Sequence, residues 1–302
     1  MPHIIRIATR QSKLALWQAN FIRDQLLDAH DDVEVELIGM TTQGDRWLSS
    51  PLSEVGGKGL FVKELEAAML EDKADIAVHS MKDVPAVLPD GFELPVIAFR
   101  DAVEDVLISN AGAIDDLPSG ARIGSSSLRR QAQLLRIRPD LDVQPIRGNV
   151  DTRLQKLAAG EYDAIVLAQA GLNRLELTVA GAFVLPIEVS LPAPGQAALG
   201  IECLSDNPVR KLLEPLQNED VARCVRAERA VSAGFGADCS LPIAAYANLE
   251  GDDIVLQGMI ADATGQRILQ SSARGVDAER VGQDVVDSLY QAGAQSVLDS
   301  LA

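Results

Sequence analysis

Asp75-Ile76-Ala77-Val78-His79-Ser80-Met81-Lys82-Asp83-Val84-Pro85 is the stretch on which the reading of this chain turns. Ile76 to Val78 form a short apolar run of the kind shown by a strand buried on both faces. Pro85 stops further regular structure. Between them stands the pair Lys82-Asp83, and the carboxyl end of a buried strand is where open α/β sheets place ligand chemistry. Taken alone, the pair suits a solvated surface turn better, because exposed charges dominate any chain. The rest of the sequence reverses that preference.

Upstream, Ile4 to Ala8 is β-rich and Thr9-Arg10-Gln11-Ser12 is polar, after which Leu14, Leu16, Trp17, Phe21, Ile22 and Leu26 recur at helical spacing. Ser12 is the expected N-cap. A second strand is predicted over Val33 to Met40 and a helix from about Leu60 to Glu71, with Leu60, Phe61, Leu65, Ala68 and Met69 on one face. Residues 41 to 59 have no periodicity, and a loop of that length reads as a functional lid. The pattern then repeats. Arg122-Ile123-Gly124-Ser125 resembles Arg6-Ile7-Ala8-Thr9, and Asp163-Ala164-Ile165-Val166 resembles Asp75-Ile76-Ala77-Val78. Two matched pairs in the same order predict two α/β domains of related design. The final third differs. A helix near Val221 to Val231 precedes three β-like runs, Pro242 to Leu249, Ile254 to Ile260 and Arg267 to Ala273. Thr264-Gly265 turns between the last two, and one closing helix is predicted over about Ala278 to Leu301. That is a small α+β domain.

A chain of 302 residues suits two or three domains, and its 47% hydrophobic and 24% charged content is that of an ordinary globule. No apolar run approaches the roughly 20 residues that span a bilayer. Met1-Pro2-His3-Ile4-Ile5-Arg6 enters a strand at once, without a signal-peptide core, so the expected location is cytoplasmic. Cys203, Cys224 and Cys239 are odd in number and far apart, which excludes a disulfide framework. The three histidines fall in no metal-binding pattern, and no metal is expected. A net charge of -17 argues against nucleic acid or an anionic membrane as partner. In so acidic a chain, gathered arginines are the more telling.

They gather at junctions. Arg10 with Ser12, and Ser125-Ser126-Ser127-Leu128-Arg129-Arg130, each stand where a strand gives way to a helix, and helix N-termini attract anions. Arginine adds charge-assisted, often bidentate contacts to carboxylate or phosphate. Alone, Arg129-Arg130 suits a solvated helix face equally well. Arg147-Gly148-Asn149 follows a β-like run, Arg153 opens the next helix, and Arg174 closes Ala170-Gly171-Leu172-Asn173-Arg174 just past another. Together they predict one cleft for a ligand with several negative groups. Val55-Gly56-Gly57-Lys58-Gly59 looks like a phosphate loop but lacks its spacing and hydroxyl, so a hinged lid is the better reading. Cys203 and Cys224 read as small buried hydrophobes. Cys239 lies on a glycine-flanked loop where a thiolate is reachable. His79 reads as a satisfied polar residue beside the site, and no Ser-His-Asp arrangement accompanies it.

These segments closely resemble the porphobilinogen deaminase (hydroxymethylbilane synthase) family. The likeness is carried by Arg6 to Ser12, Val55 to Phe61, Ala74 to Pro85, Ser126 to Gln131, Leu191 to Gln196 and Gly200 to Glu202, and it runs from about residue 4 to 246, more loosely to the end. The resemblance implies a transferase that joins four porphobilinogen molecules head to tail, releasing ammonia each time, and frees a linear tetrapyrrole. It implies a dipyrromethane cofactor fixed by a thioether to Cys239. Asp83 takes the family's catalytic position, with Lys82 beside it. Ser127, Arg129, Arg130, Lys82 and Asp83 match cofactor contacts, Arg10, Ser12, Arg147, Arg153 and Arg174 match substrate contacts, and Lys58 falls in the lid. The implied fold has two periplasmic-binding-protein-like α/β domains and a small C-terminal α+β domain. The implied boundaries are 1–98 with 194–217 for the first domain, 99–193 for the second and 218–302 for the third, which carries the cysteine loop. The implied partner is a small pyrrole substrate, and the chain is expected to work as a monomer. Two departures stand out: Ala237-Asp238 replaces the usual Gly-Gly, and Ala197 replaces a glycine.

The chemistry explains the residue types. Loss of ammonia from an aminomethylpyrrole leaves an electron-poor methylene that needs a fixed negative neighbour, which Asp83 would supply. Each added ring brings two carboxylates, which accounts for the many arginines. Two rivals fit the duplicated layout: a solute receptor or effector-binding domain, and a transferase acting on phosphorylated anions. Neither the receptor nor the effector-binding domain explains a reachable cysteine after the second α/β domain, and a covalent two-pyrrole adduct would have no place in the rival transferase.

Overall fold

The computed structural model describes residues 3–42, 62–236 and 241–301. Lys58, the 41–59 segment beyond Thr42, the start of the helix expected at Leu60, and Cys239 with Ala237-Asp238 lie outside the described residues. The chain runs β1 (His3–Arg10), α1 (Lys13–Ala29), β2 (Val33–Met40), α2 (Lys63–Leu70), β3 (Ile76–Ser80) and β4 (Phe92–Arg100). It continues with β5 (Asp105–Ser109), β6 (Arg122–Gly124), α3 (Leu128–Ile137), β7 (Asp142–Gln144), α4 (Val150–Ala158), β8 (Ala164–Ala168), α5 (Gln169–Arg174) and β9 (Ala182–Leu185). After β10 (Ala198–Leu204) come α6 (Glu219–Gly234), β11 (Ile243–Glu250), β12 (Asp253–Ala261), β13 (Ile268–Gly275) and α7 (Ala278–Gln291).

Two five-stranded sheets follow one plan. The first is ordered β2-β1-β3-β10-β4 and the second β7-β6-β8-β5-β9. In each, the first three strands and the fifth run in one direction, and the fourth, β10 or β5, lies antiparallel between its neighbours. The duplication extends to single hydrogen bonds. Arg6 N–H donates to Asp75 Oδ2 at 2.7 Å, and Arg122 N–H donates to Asp163 Oδ2 at 2.8 Å. The matched motifs therefore lie on equivalent parallel strand pairs, β1 with β3 and β6 with β8. β10 also shows that the chain returns to the first sheet after building the second. The third sheet, β11-β12-β13, is an antiparallel meander.

The apolar runs are apolar because helices cover both sheet faces. On the first sheet, Ile5, Ile7, Ile76 and Val78 pack against Ala19, Ile22 and Leu26 of α1. Ala8 and Ala77, on the other face, meet Leu65, Ala68 and Met69 of α2. The second sheet divides in the same way, with Leu107, Ile123 and Val166 on one face and Val106, Ile108 and Ile165 on the other. In the third, α6 and α7 cover one face, while Ala244, Met259 and Ala261 pack on Ala132 of α3. Cys203 and Cys224 are buried free thiols. The single closing helix expected to Leu301 is instead two, because Gly293 takes φ 101° and breaks it before a short second helix, Ala294–Asp299. Among the described residues, no helix is long and apolar enough to cross a membrane.

Candidate active site

The Lys82-Asp83 pair occupies a single 3-10 turn, Met81–Asp83, at the carboxyl end of β3. Met81 holds that turn from below and is 1% exposed. Its seat exists because two neighbours lack a side chain. A Cβ on Gly200 would lie 2.1 Å from Met81 Sδ, and one on Gly195 would lie 2.8 Å from Met81 Cβ. From the third domain, Arg229 of α6 donates to the carbonyls of Val84, Pro85 and Ala86 at 3.4, 2.9 and 3.1 Å. The turn is thus fixed at both ends, and Asp83 itself is exposed to the cleft.

The cleft has two adjoining lobes of about 220 and 560 Å³ that share Lys82, Asp83, Ser126, Arg130 and Arg153 on their walls. The smaller adds Ser127, Arg129 and Arg229; the larger adds Arg10, Ser12 and Arg147. Eight of the residues expected at the site, besides the Lys82-Asp83 pair, are Arg10, Ser12, Ser127, Arg129, Arg130, Arg147, Arg153 and Arg174, and all but the last line this cleft. Local sequence explains their placing. Ser12 caps α1 by accepting from Ala15 N–H at 3.3 Å, Ser127 caps α3 through Arg130 N–H at 3.4 Å, and Asn149 caps α4 through Thr152 N–H at 2.9 Å. Three helix N-termini therefore open toward the same space, where they favour negative charge.

The electrostatics agree. Burial lowers the Lys82 ammonium to about 8; Asp83 and Asp105 oppose the shift, and Arg130 and Arg129 reinforce it. Burial likewise lowers Arg129, and brings Arg153 down to about 10 with Arg130 and Arg147 adding to the effect. Cations crowded in a poorly solvated cleft gain from an anionic ligand. Arg129 Nε and Arg130 Nε are buried and have no hydrogen-bond partner among the described residues. Donors of this kind suit the carboxylates of a dipyrromethane, so the residues present fit that group.

Arg174 is the exception. It is 4% exposed, donates to Ala197 O at 2.5 Å, and lies over the rings of Trp17 and Phe99 with centroid distances of 5.6 and 5.9 Å. Its sequence position just past β8 suggested the cleft, but α5 turns it inward to where the sheets meet. His79 is buried with Nε2 2.7 Å from Glu202 Oε2, a satisfied polar residue as its sequence context suggested. Several residues escaped the sequence reading: Asp105, Ser190, Glu228 and Arg229. None stands in a local motif, and only tertiary partners give them meaning.

A family model described as "Porphobilinogen deaminase, dipyromethane cofactor binding domain" matches residues 5–211, and "Porphobilinogen deaminase, C-terminal domain" matches residues 222–291. The protein named porphobilinogen deaminase in two strains of Acidithiobacillus ferrooxidans is 49% identical over 303 residues, covering 100% of this chain and 99% of the relative. Among solved structures, a double mutant of the VFT2 domain of Bordetella pertussis BvgS aligns with TM-score 0.45 at 17% identity, covering 72% of this chain and 90% of that one. A probable amino-acid ABC transporter extracellular-binding protein of Bacillus subtilis also gives TM-score 0.45, at 11% identity, covering 72% and 92%.

Proposed function

This chain belongs to the porphobilinogen deaminase family, and from that premise we propose that Asp83 and Lys82 form its reaction centre, with the dipyrromethane tethered through Cys239. The enzyme is a transferase that deaminates and joins four porphobilinogen molecules into hydroxymethylbilane in tetrapyrrole biosynthesis, with a dipyrromethane cofactor. Its fold is two periplasmic-binding-protein-like α/β domains with a small α+β domain. When bound, the dipyrromethane supplies a terminal pyrrole carbon as nucleophile and a covalent anchor. The residues of the chain do the rest. Asp83 accepts from pyrrole N–H groups and offsets the positive charge that develops as ammonia leaves, a preorganised contribution of about 3–4 kcal/mol. Lys82, Arg129 and Arg130, with Ser127, hold cofactor carboxylates. Arg10, Ser12, Arg147 and Arg153 hold those of the incoming substrate, each contact contributing about 1.5–3 kcal/mol. Arg174 is assigned to the same arginine set by resemblance, and its inward position supports a supporting role beneath the cleft.

The observation that carries this reading is that Lys82-Asp83 sits on the shared wall of both lobes among Arg129, Arg130 and Arg153. The choice of cysteine is supported by elimination. Burial pushes the Cys203 thiol up to about 12 and the Cys224 thiol to about 11, so neither is a ready thiolate. We take the domains as 1–98 with 194–217, 99–193 and 218–302; the three sheets and the return of β10 support this division into three, with the first boundary shifted to follow Arg100, because β4 stays in the first sheet to that residue. A cytoplasmic monomer is the working state: buried free thiols suit a reducing compartment, and the exposed large hydrophobics, such as Leu70, Val87, Val184 and Val276, are scattered singly. Intact-mass measurement tests the reading. A two-pyrrole adduct, absent from Cys239→Ser, is expected; an active enzyme with unmodified mass would refute it.

A further inference from the structure

Asp105 is the first residue of β5, and antiparallel pairing sets it opposite Ala168, a residue on the wall of the larger lobe. It is 0% exposed and touches neither lobe. Its carboxylate nevertheless reaches the two arginines that do. Oδ2 accepts from Arg129 Nη2 at 2.8 Å and Oδ1 from Arg130 Nη2 at 2.7 Å. Each guanidinium is pinned a second time by a carbonyl, Arg129 by Leu191 O at 2.5 Å and Arg130 by Val166 O at 3.0 Å. Those contacts engage the Nη groups, and the two buried Nε donors have no hydrogen-bond partner among the described residues. The carboxylate is itself oriented. Ser190 Oγ donates to Oδ2 at 2.8 Å and Gln196 Nε2 to Oδ1 at 3.0 Å, both from the segment that carries the chain back to the first sheet.

We propose that Asp105 is a positioning residue for this reaction: its carboxylate holds the Arg129 and Arg130 guanidiniums on the cleft wall, where their positive charge meets the carboxylates of the bound pyrrole chain. The inference rests on the assignment of these arginines to the cofactor. Two guanidiniums against one carboxylate leave one net positive charge, enough to attract an anion while both side chains keep fixed rotamers. Arginine without such a counter-charge has many rotamers, and misplacing a binding group by about 1 Å costs up to about a hundredfold in rate. Burial alone would raise the Asp105 carboxyl, but Arg129, Arg130 and Ser190 more than offset this and keep it ionised.

The test uses full-length protein produced without cofactor. Wild type, Asp105→Asn and Asp105→Glu are given porphobilinogen, and covalent pyrrole uptake is followed by intact mass. In parallel, phenylglyoxal modification of Arg129 and Arg130 is mapped by peptide mass. Asp105→Asn should load at least about tenfold more slowly and expose both arginines to the reagent, with partial recovery in Asp105→Glu. A folded Asp105→Asn that loads at the wild-type rate with protected arginines overturns the proposal. Should Asp105→Asn not fold, Ser190→Ala keeps the carboxylate and removes one of its two orienting donors. Severalfold slower loading at an unchanged melting temperature supports the role, and unchanged loading overturns it. A wild type that takes up no pyrrole would instead sink the cofactor assignment, and the arginine reactivity would still decide the positioning role.

Discussion

Glu228 offers the sharpest test of how the third domain is held to the other two. It is 0% exposed and accepts four hydrogen bonds. Oε1 takes Arg100 Nη1 and Ala247 N–H, both at 2.8 Å; Oε2 takes Arg100 Nη2 at 3.1 Å and Gly195 N–H at 2.7 Å. One carboxylate thus joins α6 and β11 to the end of β4 and to the returning segment. Burial lowers the Arg100 guanidinium, but Glu228 more than offsets that. Glu228→Ala removes the counter-charge of an arginine whose side chain is 9% exposed and leaves it buried alone, which costs about 3–5 kcal/mol. At roughly 2 °C or more per kcal/mol, the melting temperature should fall by at least about 6 °C. The cycle with Arg100→Met gives the diagnostic result. Removing both charges leaves no orphan, so the double variant should be at least about 1 kcal/mol more stable than the two single losses predict. Calorimetry of all four proteins measures this. A fall below about 2 °C for Glu228→Ala, or strict additivity, would refute the argument that the pair acts as one buried unit.

Three further outcomes are expected. Asp83→Asn, folded and carrying cofactor, should lose at least about a hundredfold in turnover by single-turnover ammonia release, and near-normal turnover removes Asp83 from the mechanism. Because folded Lys82 titrates near 8 against an ordinary 10.5, it loses its charge while the unfolded chain still binds that proton. Between those values its contribution to stability rises with pH, whereas the rate of covalent cofactor loading falls above about pH 8. A Lys82→Gln variant should flatten both trends, and an unchanged pH profile of loading, followed by intact mass, would count against the residue's role. Ala197 holds φ 67°, a left-handed conformation that a side chain resists, so Ala197→Gly should gain up to about 1 kcal/mol in urea unfolding; a net loss would show that its buried methyl group matters more.

Much of the molecule was legible because its signals are local. Apolar runs at 76–78 and 164–166, the Ser12 cap and the matched Arg6 and Arg122 motifs each depend on neighbours in sequence. They sufficed for the two related α/β units, and the order of motifs sufficed for the family. The cleft residues followed because strand ends and helix starts converge by topology in such folds. What the chain could not disclose from its order was where a polar side chain would find its partner. Arg174 and Arg129 read alike as arginines near strand ends, yet one lies over the rings of Trp17 and Phe99 while the other faces the cleft. Asp105 and Glu228 read as ordinary acids, and only folding brings Arg129, Arg130 and Arg100 to them across 24, 25 and 128 residues. A buried charge takes its role from the opposite charge beside it, and that neighbour is set by three-dimensional packing rather than by position along the chain.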